Sequence, residues 1–132
     1  MYEQQLDVEK FHRKHNFPVD IFIGTDPKTD LVRVHLINEE LGELALALAE
    51  RNIVKLADAL GDLVYVVLGT AVTYNIPLDL VFRAIQQSNM TKAVRDPNDT
   101  RLRSKGDSYR PPNIEGALKA HFLTFDEKGV RY

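Results

Sequence analysis

Apolar residues recur at three- and four-residue spacing over four stretches of the chain, and each predicts a helix. From about Gln4 to His15 the stripe is Leu6, Val8, Phe11 and His15. From Asp30, read as the N-cap, to about Arg51 it is Val34, Ile37, Leu41, Leu44 and Leu48. From about Ile53 to Tyr74 it is Leu56, Leu60, Leu63, Val64, Val67, Leu68 and Ala71. This third segment is apolar around much of its circumference, which predicts a central position or an oligomer interface. From about Pro77 to Ala93, the inward set is Leu78, Val81, Phe82 and Ile85. Residues 16–30, punctuated by Pro18, Gly24 and Pro27, read as a loop. Val19, Ile21, Phe22 and Ile23 make it apolar enough to lie over the core or a subunit neighbour. Arg51-Asn52 reads as a short break, and Asn75-Ile76-Pro77 as the end of one helix and the start of the next. Beyond Arg95 the periodicity lapses, apart from a short helical stretch over 114–122. The expectation is an all-α protein, one domain over residues 1–132, with a helical core at about 4–93 and a C-terminal tail at about 94–132.

Composition narrows this only a little. The 132 residues suffice for one domain with a core. Lys plus Arg number 17 against 19 Asp plus Glu, so the basic excess of a nucleic-acid polymer binder is missing. With no cysteine, disulfides, zinc–thiolate sites and thiol catalysis are excluded. The N-terminus is polar and acidic, unlike a signal or transit peptide. The apolar run from Leu63 to Val72 is too short to span a bilayer. A soluble cytoplasmic protein with no membrane partner is the default expectation.

The chemistry concentrates in Leu36-Ile37-Asn38-Glu39-Glu40-Leu41-Gly42-Glu43-Leu44. Successive helical residues are 100° apart, so Glu39 and Glu43 lie about 40° apart and Glu40 and Glu43 about 60° apart. All three reach one region between Leu and Ile side chains, where uncompensated carboxylates are costly. Asp58 and Asp62 form a second acidic pair, four residues apart on the next apolar helix. Two helices carrying such pairs can face each other and enclose a hard divalent cation, Mg²⁺ or Mn²⁺, which prefers oxygen ligands.

Other candidates are less specific. His12 and His15 read as packing or solvent-contact residues, having no obvious partner nearby in sequence. Arg51 and Lys55 are within reach of a phosphate, or are surface charges opposing Glu50. Asn89 and Lys92, in Ser88-Asn89-Met90-Thr91-Lys92, share a face and suit phosphate oxygens, although a Lys at a helix C-terminus also complements the dipole. Arg101, Arg103 and Lys105, followed by Gly106 and Tyr109, form a basic strip able to close over an anion or to wrap the surface.

Taken in order, these segments resemble the all-α nucleoside triphosphate pyrophosphohydrolases, the MazG-like superfamily that includes phosphoribosyl-ATP pyrophosphohydrolases and dimeric dUTPases. The likeness covers roughly residues 5 to 118. Glu39-Glu40-Leu41-Gly42-Glu43 matches the family's EExxE motif in full. Asp62 matches the Asp of its ExxD motif, but the Glu falls on Ala59, for which Asp58 is the substitute. That departure bears on the ligand set and the number of metal ions. The resemblance implies a four-helix-bundle-type fold and Mg²⁺- or Mn²⁺-dependent cleavage of a (d)NTP to (d)NMP and pyrophosphate, in nucleotide-pool cleaning. It implies Glu40, Glu43, Asp62 and Asp58 as metal ligands and Glu39 as a further ligand or general base. Asn89 and Lys92 would hold phosphates or sugar, and Lys105 and Tyr109 would close over the substrate. A homodimer, or a tetramer built as a dimer of dimers, is implied too. The alternatives are a dUTP- or dCTP-selective enzyme, a phosphoribosyl-ATP pyrophosphohydrolase, and a non-catalytic helical binding or oligomerisation module.

Overall fold

The computed structural model describes residues 1–94, 97–98 and 105–132. Arg101 and Arg103 of the basic strip lie outside the described residues. Among the described residues five helices form: α1 (Tyr2–Lys14), α2 (Pro27–Ala49), α3 (Ile53–Thr73), α4 (Leu78–Asn89) and α5 (Ile114–Ala120). Among the described residues there is no strand, only an isolated antiparallel bridge between Phe125 and Arg131. The protein is all-α, as the periodicity predicts.

The chain forms two compact units, residues 1–76 with 125–132, and residues 77–124. In the first, α3 packs against both α1 and α2. Residues 50–52 join α2 to α3, a connection short enough to make them an antiparallel pair. Arg51 takes a left-handed φ of 54°. Asn52 caps α3, its side chain accepting from the Val54 and Lys55 amides at 3.1 Å each. Asn75, with φ 55°, ends α3 as the sequence predicts. In the second unit α4 packs on α5.

Two expectations are corrected. Asp30 does not cap α2. The N-cap is Asp26, whose carboxylate accepts from the Lys28 amide at 3.2 Å and the Thr29 hydroxyl at 2.7 Å, with Pro27 at the first helical position. Asp30, one turn in, instead accepts from the Gly24 amide at 3.1 Å and from the Tyr74 hydroxyl. It thus ties the α1–α2 loop and the end of α3 to α2. Burial, then this hydrogen bond, push the Tyr74 phenol up to about 12.

The second correction is the phase of α2. The inward stripe is Thr29, Arg33, Leu36, Ile37, Glu40, Leu44 and Ala47, whereas Val34, Leu41 and Leu48 are exposed. On α3 the inward residues include Leu56, Ala59, Leu63, Val66, Gly69 and Thr73, and Leu60, Val64 and Val67 are exposed. Ala47 and Ala59, each 2% exposed, let the two backbones approach closely. Glu40 therefore lies within the seam between α2 and α3.

The loop over 16–25 is anchored from two sides. The Asp20 and Ile21 amides donate to the Val72 and Thr73 carbonyls at the end of α3. The C-terminal segment returns to the first unit, where Arg131 pairs with Asp20, donates to the Tyr74 carbonyl at 3.2 Å and lies over the Phe22 ring.

Candidate active site

Glu40 and Glu43 on α2 and Asp62 on α3 offer carboxylate oxygens that all lie within 4.8 Å of one another. Helical spacing puts Glu40 and Glu43 one turn apart, and the antiparallel α2–α3 pairing brings Asp62 opposite. Glu43 and Asp62 are exposed, while Glu40 is half-buried. One Glu40 oxygen, Oε2, is buried with no hydrogen-bond partner. Desolvation, then the charges of Glu43, Asp62, Glu39 and Asp58, hold the Glu40 carboxyl above its ordinary range. No Lys or Arg is among these perturbing charges.

A buried carboxylate oxygen without a donor, surrounded by like charges, is stable only as the protonated acid or beside a cation. The donor set is entirely carboxylate oxygen, which suits Mg²⁺ or Mn²⁺ and disfavours softer metals. The residues present therefore fit a hard divalent ion. Asp58 and Glu39 stand outside the closest group, exposed, near enough for their charges to act on Glu40. Ala59 points into the seam, where it offers no ligand.

The remaining candidates belong to the second unit. Asn89 ends α4, exposed, and the Lys92 amide donates to its carbonyl at 3.1 Å. Ser88 and Thr91 pin the following segment back onto this helix end. The Ser88 hydroxyl donates to the Arg110 carbonyl at 2.7 Å, and the Arg110 amide donates to the Thr91 hydroxyl at 2.8 Å. Ser108 donates to the Thr91 carbonyl at 2.9 Å. Lys105 lies over the Tyr109 ring, 5.0 Å from its centroid. Asn89, Lys92, Lys105 and Tyr109 are thereby gathered at one end of α4.

The first unit also holds a cavity of about 450 Å³, overlooked in the sequence. Phe11, Phe17 and Tyr65 form one aromatic wall, with Phe11 stacked on Phe17 at 5.8 Å and edge-on to Tyr65 at 5.7 Å. Val32, Leu36 and Val66 add aliphatic surface, and His12, Arg33 and Gly69 also line the cavity. Leu36 and Val66 each lie four residues, about 6 Å of helix rise, from Glu40 and Asp62 respectively.

His12, expected to be a packing or solvent-contact residue without an evident partner, is 3% exposed and has a specific one: its Nδ1 lies 3.0 Å from the Pro18 carbonyl. Burial and the Arg33 charge keep its pKa low, against the raising effect of that hydrogen bond. Arg33 is 8% exposed. The one sequence signal for it is its place seven residues before Glu40, on the same helical face.

Comparison with known proteins gives two findings. The family model for phosphoribosyl-ATP pyrophosphohydrolase matches residues 8–89, more than half of the chain. An uncharacterized protein of Acanthamoeba polyphaga mimivirus is 36% identical over 77 residues, covering 54% of this chain and 31% of that protein. The chain thus spans under a third of the length of that relative.

Proposed function

The chain belongs to the phosphoribosyl-ATP pyrophosphohydrolase family, and from that membership we propose that it is a metal-dependent hydrolase of nucleotide phosphoanhydrides. The reaction is cleavage of a (d)NTP to (d)NMP and pyrophosphate, in service of the nucleotide pool and hence in the cytoplasm. The observation that carries this reading is the unpartnered, buried Glu40 Oε2 at the centre of the acidic cluster.

Glu40, Glu43 and Asp62 would hold Mg²⁺ or Mn²⁺, with Asp58 as a further ligand. Such an ion, when bound, neutralises phosphate charge and lowers the pKa of a bound water. Glu39, exposed on the same turn, is placed to take the proton of an attacking water or to serve as another ligand. The aromatic cavity, about one helical turn from the acids, suits a flat ring such as a nucleobase. For Asn89 and Lys92 we propose contact with substrate phosphates or sugar, and for Lys105 and Tyr109 a part in enclosing the substrate.

The nucleotide itself is decided by a panel of NTPs, dNTPs and phosphoribosyl-ATP with Mg²⁺ or Mn²⁺. Pyrophosphate release that disappears in Glu43→Gln supports the hydrolase. A dUTP- or dCTP-selective profile, or cleavage confined to phosphoribosyl-ATP, would name the narrower enzyme. Ala59 favours a second reading, since it removes a carboxylate from the seam. If no nucleotide is cleaved or bound with metal, the protein is a non-catalytic helical binding or oligomerisation module.

A further inference from the structure

The aromatic cavity ends on a polar pair. The Arg33 guanidinium lies on Gly69, in the space that a Cβ there would require, and His12 Nε2 is 3.1 Å from the same point. Donor and acceptor thus share a floor that only a glycine leaves open. The Pro18 carbonyl can only accept, so His12 Nδ1 carries the proton and the neutral ring presents Nε2 as an acceptor. Arg33 has five N–H donors. Two are used, Nε to the Thr70 hydroxyl at 3.2 Å and one guanidinium N–H to the Val66 carbonyl at 2.8 Å. The other three have no acceptor among the described residues. No carboxylate there pairs with this arginine, although it is more than nine-tenths buried. No guanidinium nitrogen is sealed away without a partner, so the spare donors open onto the cavity and are free for whatever occupies it.

Position says what that is. Arg33 precedes Glu40 by seven residues, and Gly69 follows Asp62 by seven on the antiparallel helix. The pair therefore stands about 10 Å of helix rise from the acids. That is the scale on which a nucleoside separates its 5′-phosphate from the far edge of its base. Resting on the pyrophosphohydrolase reading, we propose that His12 and Arg33 are specificity-determining residues that read the edge of the substrate's base.

The chemistry of the pair selects among bases. A keto oxygen has two lone pairs and accepts two N–H groups of Arg33, while the adjacent ring N–H donates to His12 Nε2. Uracil, thymine and guanine present this keto–imino edge. Cytosine and adenine present an amino group beside a ring nitrogen with one lone pair. They satisfy His12 but leave an Arg33 donor and an amino hydrogen unpaired. A single unmet buried donor costs roughly 10- to 100-fold in affinity.

The test is titration of the intact, metal-free protein with UMP, GMP, CMP and AMP, following the His12 ring nitrogens by NMR. UMP and GMP should bind at least about 10-fold more tightly than CMP and AMP. Each should shift Nε2 while Nδ1 stays with Pro18, and Arg33→Gln should erase the preference. Equal affinities, binding without an Nε2 shift, or no binding at millimolar ligand would each overturn the proposal. Because Arg33→Gln can perturb folding, the wild-type Nε2 shift stands as an independent readout. Pyrophosphate release is a separate measurement: cleavage without base preference sinks this inference and spares the hydrolase, whereas base-selective binding without cleavage does the reverse.

Discussion

The Arg33 guanidinium occupies the space that any side chain on Gly69 would need. The contact lies two helical turns from the acids on both helices: seven residues forward along α2 is Glu40, and seven back along α3 is Asp62. Gly69→Ala should force Arg33 off the Val66 carbonyl and the Thr70 hydroxyl, or spread the helices. The expected loss is about 1–3 kcal/mol, the usual range for overpacking. Urea denaturation measures it, and an unchanged midpoint would contradict the contact.

Glu40→Gln removes a charge from a place where burial and four neighbouring acids disfavour it. The metal-free variant should therefore melt above the wild type. Adding Mn²⁺ should raise the wild-type melting temperature, since a ligand held at 100 times its Kd stabilises by about 2.7 kcal/mol. The variant should lose that response. Its metal affinity should fall by at least about 10- to 100-fold, the loss typical even of residues behind a ligand. Differential scanning calorimetry with and without chelator checks both.

The folded-state pKa of His12 is lowered, by burial first and by Arg33. The folded protein then binds fewer protons at this ring than the unfolded chain does. His12 thus contributes stability that is present above the ordinary histidine pKa of 6.5 and is lost as pH falls through its depressed value. Denaturation midpoints compared between about pH 7.5 and about pH 5 should fall less steeply in His12→Asn. A steeper fall in the variant would reverse the assignment.

Val34, Leu41 and Leu48 on α2 and Leu60, Val64 and Val67 on α3 are apolar and exposed. We propose that a further copy of the chain covers these faces, in the homodimer or dimer of dimers that the resemblance implies. Light scattering at micromolar concentration should give at least a dimeric mass, and Val64→Glu should halve it. A wild-type monomer would count against the assembly.

Asp26, and not the expected Asp30, caps α2. Asp26→Ala should cost about 1 kcal/mol as the loss of an N-cap, by thermal or urea denaturation. Asp30→Asn should leave the cap intact and loosen the end of α3 instead, visible as faster amide exchange at Gly24 and Tyr74.

The helices, their breaks and the acidic motif were legible because they depend on local geometry. Spacing along one helix fixes which residues share its face, and Asn52, Asn75 and Pro77 mark ends through their own backbone preferences. EExxE and Asp62 could be read as a candidate ion site for the same reason. What the sequence could not choose was which side of α2 turns inward. Leu31, Val32, Val34, Leu36, Ile37, Leu41, Leu44, Leu46 and Leu48 surround that helix, so apolar spacing alone permits more than one phase. Packing against α3 settled it, carrying Arg33 and Glu40 into the seam and leaving Leu41 outside. His12 and Arg33 lie 21 positions apart in sequence, with Gly69 farther still. Their meeting depends on where three helices cross, a property of the packed chain that local periodicity does not contain.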